Sequence, residues 1–318
     1  MTATVSPPAL KAAGLRKSFA DTVALDGIDL DVAAGSVFAL LGPNGAGKTT
    51  TVQILSTLIR ADAGEVLVAG HDPAREPDAV RDVIGVTGQS VAVDNLLTGE
   101  ENLTLMADLN HLGRAEGRRR TADLLERLDL VEEGARPAVT YSGGLRRRLD
   151  LAMTLMGDPR IIFLDEPTAG LDPRSRRTVW RIVRDLVADG VTVFLTTHYL
   201  EEADQLADRV ALLDHGRLVA EGTPEELKRL IPGGHISLRF ADPQALEAAA
   251  GALPGSSKDD DALTLRVPSE GGTPSLRALL DRLDAASIHV EHLSIHTPDL
   301  DDVFLTLTGR SDQEGEPV

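Results

Sequence analysis

Residues Gly42, Pro43, Asn44, Gly45, Ala46, Gly47, Lys48, Thr49 and Thr50 fit the spacing G-x-x-x-x-G-K-[ST], a loop that closes on phosphate. Its glycines let successive backbone N–H groups turn inward, its lysine adds a point charge for the terminal phosphates, and the next hydroxyl can take a place on Mg²⁺. The chain holds 5 Lys against 27 Arg, yet Lys occupies this position. A compact ammonium fits a phosphate cradle where a planar guanidinium does not. Other candidates stand at the ends of expected strands, where the ligand side of an open α/β sheet lies. Asp165 follows the run 161–164 and can hold Mg²⁺; Glu166 beside it can accept a proton from an attacking water. His198 follows the run 191–197 and can donate to a γ-phosphate, and Gln89 ends a run from 84 in the same way. Phosphoryl transfer is mostly positioning and charge neutralisation, and these residue types supply both.

The elements that must position them follow from periodicity. Residues 37–41 are continuously apolar, the pattern of a buried parallel strand. Val52, Leu55 and Ile59 follow helical spacing, which sets the loop at a helix N-terminus where anions are favoured. Further strands are expected at 12–19, 24–32, 64–70, 84–89, 161–164 and 191–197, with a hairpin at 209–213 and 218–221. Helical spacing fills about 92–158, and a helix from Arg174 carries Val179, Ile182, Val183, Leu186 and Val187 on one face. Residues 35–221 therefore predict a largely parallel α/β sheet with a helical insertion. The triplets Arg118, Arg119, Arg120 and Arg146, Arg147, Arg148 are expected on solvated helix faces.

A Pro-Gly stretch at 231–234 reads as a linker, giving domains at 1–232 and 233–318. Strands at 236–240, 263–267 and 288–295 and helices at 243–253, 276–283 and 300–307 predict a small α+β second domain. Strand alternation over 288–291, rather than metal binding, accounts for His289; Asp259, Asp260 and Asp261 read as a solvated turn. Residues 1–9 and 311–318 read as disordered. A chain of 318 residues exceeds one comfortable core, and its net charge of −18 argues against nucleic acid or anionic lipid as main partner. It contains no cysteine, which excludes disulfides and thiolate metal sites. No apolar run approaches the roughly 20 residues that span a bilayer, and no N-terminal secretory pattern appears.

Taken together, the motifs resemble the nucleotide-binding subunit of ATP-binding cassette (ABC) transporters, over roughly residues 10–230. Residues 42–50 match its Walker A loop, Gln89 its Q-loop, Ser142-Gly143-Gly144 its signature, 161–165 its Walker B strand, Leu171-Asp172 its D-loop and His198 its switch histidine. The resemblance implies a P-loop cassette in which Lys48 and His198 meet the γ-phosphate of ATP. Thr49, Asp165 and Gln89 would serve Mg²⁺, Glu166 would be the base, and Phe19 would stack on the adenine. Tyr141 and Leu145 depart from the commonest signature, which has Leu and Gln there. In this family the signature serine contacts nucleotide held by an opposite subunit, implying a homodimer around two ATP. It also implies a separate membrane permease, docked near the helical insertion and Gln89, at the cytoplasmic face of the membrane. The runs from Tyr141 and over 297–309 are similar to the daunorubicin/doxorubicin-resistance type, which implies drug export. Lipid, ion or polysaccharide export, and a soluble non-transport ATPase, remain alternatives. Within 297–309, Thr297 is expected to cap a helix whose Leu300, Val303, Phe304 and Leu307 share an apolar face.

Overall fold

The structure, a computed structural model, describes residues 8–231, 234–269, 273–296 and 298–309. The chain divides into two units, 1–224 and 225–318. The division precedes the 231–234 stretch, of which Pro232 and Gly233 lie outside the described residues. So do 1–7, Thr297 and the tail from 310. In chain order the first part runs β1 (Leu10–Phe19), β2 (Thr22–Val32), β3 (Val37–Leu41), α1 (Lys48–Leu55), β4 (Ala63–Val68), α2 (Pro77–Arg81), β5 (Ile84–Thr87) and α3 (Gly99–Leu109). It continues with α4 (Arg114–Arg127), α5 (Gly143–Leu155), β6 (Ile161–Asp165), α6 (Pro173–Ala188), β7 (Thr192–Thr197), α7 (Leu200–Leu206), β8 (Arg209–Asp214) and β9 (Arg217–Gly222).

Every residue of β3, β6 and β7 is buried, as strands covered on both faces must be. They form the centre of a six-stranded sheet of order β5-β6-β7-β3-β8-β9, parallel except for β9. Register is marked by Phe38, Phe194 and Phe163, level with one another on β3, β7 and β6. Phe38 stacks on Phe194 at 5.5 Å, and Phe163 meets it at 5.7 Å. Such pairs add about 0.5–1.5 kcal/mol each beyond their burial. A one-residue slip would move a ring to the opposite face of its strand, so the ladder also holds the strand ends level. α6 buries Val179, Ile182, Val183 and Leu186, the face read from its spacing.

The strand at 63–68 departs from the expected parallel alternation. β4 leaves most of its length open to water, and it pairs antiparallel with β1 in a separate sheet of order β2-β1-β4. A strand exposed on one face suits an antiparallel edge better than a doubly covered parallel sheet.

The second unit begins within α8 (Pro224–Lys228) and continues with β10 (His235–Arg239), α9 (Pro243–Ala252), β11 (Ser257–Asp259), β12 (Thr264–Pro268), α10 (Thr273–Ala285), β13 (His292–His296) and α11 (Leu300–Thr308). Its antiparallel sheet has the order β11-β12-β10-β13, and Ile236, Leu238, Phe240, Leu246, Leu265 and Leu279 lie in its core. Here the expected strand at 288–295 is shorter. β13 begins at His292, so alternation does not govern His289; Ile288 and Val290 pack on the core from irregular chain. The cap of α11 is Asp299, whose carboxylate accepts the Asp302 N–H while Asp302 accepts from Asp299 N–H. Leu300 and Val303 are buried, whereas Leu307 is exposed. Among the described residues no helix is long and apolar enough to cross a membrane.

Candidate active site

Four strand ends set the site. β5, β6, β7 and β3 are consecutive neighbours, and register aligns Thr87 with Leu164, Asp165 with Thr196, and Leu41 with Thr197. The residues that follow these ends therefore emerge on one edge: Gln89 after β5, Glu166 after β6, His198 after β7 and the 42–50 loop after β3.

The loop is held from both sides. Gly42 N–H donates to Thr197 O at 3.4 Å, and Gly216 N–H donates to Ala46 O at 3.0 Å. Gly47 caps α1 with φ +112°, and a Cβ there would lie 2.5 Å from Ala24 O on β2. Only glycine meets both demands. Because Gly47 offers no side-chain cap, the first N–H groups of α1 are left to an anion. Asn44 and Gly45 are exposed at the tip, and Pro43 and Thr50 are half-buried. Phe19 keeps an exposed ring on the β1–β2 hairpin that abuts Gly47, with the Lys17 ammonium 5.3 Å from its centroid.

Lys48 is buried and donates to Gly42 O at 2.7 Å and Pro43 O at 3.1 Å; its Nζ lies 3.6 Å from Glu166 Oε1. Burial pushes its pKa down, and the Glu166 carboxylate opposes that. Thr49 Oγ1 donates to Asp165 Oδ2 at 3.0 Å, while Thr196 Oγ1 donates to Asp165 Oδ1. Gln89, Thr49 and Asp165 border one cleft of about 390 Å³. Hydroxyl, carboxylate and amide oxygens on one cleft fit a hard, oxygen-seeking cation such as Mg²⁺.

Glu166 has φ +49°, in the left-handed region, which costs a non-glycine residue about 1–2 kcal/mol. Its N–H donates to Thr196 O at 3.1 Å. The turn points its carboxylate between Lys48 and His198, whose Nδ1 lies 3.2 Å from Glu166 Oε1.

Ser142, Gly143, Gly144 and Asp172 are not brought to this cleft. Ser142, Gly144, Leu145 and Asp172 line another, of about 980 Å³, that contains no residue of the 42–50 loop. Ser142 caps α5 by accepting the Leu145 N–H at 3.3 Å, and Gly143 is the first residue of that helix. The Asp172 carboxylate caps α6, accepting from Arg174 N–H, Ser175 N–H and Ser175 Oγ, which fully engages it within its own helix. Tyr141 is buried where the signature commonly has Leu, and its hydroxyl donates to Glu133 O at 2.6 Å.

Arg118 and Arg119 are exposed as expected, but other members of the arginine triplets require correction. Arg147 is 4% exposed and fully hydrogen-bonded to backbone and to Asp150. Arg148 is half-buried and donates to Leu128 O and Asp129 O. Arg120 reaches Met156 O. Backbone carbonyls at helix ends and turns accept from these guanidiniums and draw them inward.

Sequence reasoning also missed Glu202, a wholly buried carboxylate on α7 four residues past His198. Its Oε1 accepts from Thr168 Oγ1 at 2.8 Å and Trp180 Nε1 at 3.0 Å. Burial raises its pKa, against hydrogen bonds from Thr197, Thr168 and Trp180. A carboxyl raised in the folded state stabilises fully below its unfolded pKa, and that contribution fades as pH climbs through the folded value. Glu202→Gln removes the dependence and keeps an acceptor for Trp180. Thermal unfolding is expected to give a variant a few degrees more stable than the parent at pH 8, the gap closing toward pH 5. An equal gap at both pH values contradicts this.

Comparison with known proteins follows the same lines. The model described as "ABC transporter" matches residues 25–169, and that for "ATP-binding protein DrrA1-3-like, C-terminal domain" matches 222–308. The daunorubicin resistance ATP-binding protein DrrA3 of Streptomyces coeruleorubidus is 50% identical over 93% of this chain and 94% of its own. The daunorubicin/doxorubicin resistance ATP-binding protein DrrA of Streptomyces peucetius is 48% identical over 95% of this chain and 92% of its own. A dimeric ATP-binding cassette, solved in a post-hydrolysis state with ADP and Pi, aligns at TM-score 0.60 and 26% identity over 67% of this chain and 98% of that one.

Proposed function

Because the chain belongs to the ATP-binding subunits of ABC transporters, of the daunorubicin/doxorubicin-resistance type, we propose that it powers efflux of anthracycline-class drugs through a separate membrane permease. Two copies would act together at the cytoplasmic face of the membrane. The observation that carries the drug reading is likeness along nearly the whole chain, second unit included, to proteins named for resistance to such drugs.

The site supports this division of labour. The 42–50 loop and the open N-terminus of α1 bind the phosphates, and Lys48 neutralises charge on the terminal ones. Thr49 and Asp165, with Gln89, would hold Mg²⁺, which supplies further neutralisation at the phosphate oxygens. Glu166 takes the proton of the attacking water, and His198, beside the same carboxylate oxygen as Lys48, orients on the γ-phosphate. Phe19 offers its exposed ring to the base. Ser142 and Gly144, in their own cleft, are available to nucleotide on a second copy; the dimeric cassette above is the precedent for such a pair.

Co-expression with a candidate membrane permease tests the export reading. Cells carrying both chains are expected to accumulate several-fold less daunorubicin than cells in which the ATPase bears Glu166→Gln. Equal accumulation, with hydrolysis intact in the parent, would overturn the drug assignment while leaving the ATPase in place.

A further inference from the structure

Arg147 has five N–H donors, and all five are used. Nε donates to Pro167 O at 2.6 Å; Nη1 donates to Gly88 O at 2.9 Å and Asp150 Oδ2 at 3.2 Å; Nη2 donates to Asp165 O at 3.2 Å and Glu166 O at 3.0 Å. A guanidinium is the only side chain with this many donors in a fixed plane. Three of its acceptors are the successive carbonyls of 165–167, the turn in which Glu166 adopts its left-handed φ. A strained turn persists only where its surroundings over-determine it. The fourth carbonyl, Gly88, immediately precedes Gln89. Asp150 extends the connection, because its other oxygen accepts the Ala92 N–H at 3.0 Å. Further along the same segment, Asp94 N–H donates to Asn102 Oδ1 at 2.9 Å. One buried ion pair on α5 thus fixes both the turn that aims Glu166 and the segment that carries Gln89.

We infer that Arg147, with Asp150, is a positioning residue for hydrolysis: it holds the Glu166 turn in its productive conformation and ties that turn to the 88–94 segment. Resting on the reading of Glu166 as the base, the inference adds that the base is aimed from the signature helix. It acts through Glu166 and touches no nucleotide.

A lysine at 147 keeps the charge but has three donors radiating from one atom, so it cannot serve five acceptors across the width of a guanidinium. Arg147→Lys is therefore expected to fold and to bind ATP with KM within about threefold of the parent. Its kcat should fall about 10- to 100-fold, since misplacing a reacting group by about 1 Å has effects of that order. Asp150→Asn, which leaves the carbonyl contacts of Arg147 available, is expected to show a smaller loss of the same kind. The decisive comparison is Arg147→Lys made in a Glu166→Gln background, where it should lower the residual rate no further. A parental kcat in well-folded Arg147→Lys sinks the inference. So does a full additional loss in the Glu166→Gln background, or a kcat loss matched by the unfolded fraction in circular dichroism. Failure of the base assignment looks different: Glu166→Gln alone would then turn over like the parent.

Discussion

Glu166→Gln is expected to lower steady-state ATP hydrolysis by about 10²- to 10⁴-fold, the range removed with a general base, while leaving ATP affinity near that of the parent. The substitution is isosteric and Glu166 is held by its backbone, through Thr196 and Arg147, so the turn should survive. What changes is the charge between Lys48 and His198, 3.6 and 3.2 Å away. Gln can accept no proton from water, so bound ATP persists. A second copy that contributes Ser142 should then remain attached, and the variant should elute with ATP as a dimer on a sizing column. Wild-type turnover in this variant would remove Glu166 from the mechanism. A slow but monomeric variant would instead remove the two-copy arrangement and keep the base.

The parts of this site legible in sequence are those in which local pattern and tertiary role coincide. Residues 42–50 carry their chemistry in contiguous order. The strands before Glu166 and His198 are buried at every position because they lie inside a parallel sheet, and their Ile, Val, Phe, Leu and Thr residues give way to titratable ones at the strand ends. Arg147 was not legible. Three consecutive arginines on a helix look solvated, and the acceptors that bury the middle one come from residues 88 and 165–167, far away in the chain. A signal was nevertheless present. Asp150 sits among Leu149, Leu151, Ala152 and Met153, an apolar stretch that admits a carboxylate only with a partner, and Arg147 is three residues before it. Glu202 was hidden for the opposite reason. It belongs to an acidic run with Glu201 and Asp204 that resembles an exposed helix start, and its partners Thr168 and Trp180 are tertiary. The half-exposed pattern of β4 was visible but its sheet was not, since pairing with β1 rather than with β3 is decided by the register of whole strands.

Lys48→Ala should be as damaging as Glu166→Gln by a different route, because it acts on binding as well as turnover. The ammonium is buried in the loop with two carbonyl partners, so it stands where phosphate charge would arrive. A charge-assisted hydrogen bond is worth about 1.5–3 kcal/mol, which corresponds to about a 10- to 150-fold weaker ATP dissociation constant. Loss of preorganised positive charge at the transferring phosphoryl group should lower kcat by a further 10²- to 10³-fold. Truncation also leaves Gly42 O and Pro43 O without their donor and Glu166 without a neighbouring cation, so some loop rearrangement is expected. Lys48→Arg separates charge from shape. If charge alone mattered, arginine would restore binding; a guanidinium too wide for the space between Gly42 O and Glu166 should restore little. Equilibrium titration with a fluorescent ATP analogue, run beside steady-state hydrolysis, reads the two effects separately. Parental affinity in Lys48→Ala would mean that the loop cradles phosphate by its backbone alone, and the assigned role of the lysine at the terminal phosphates would have to be abandoned.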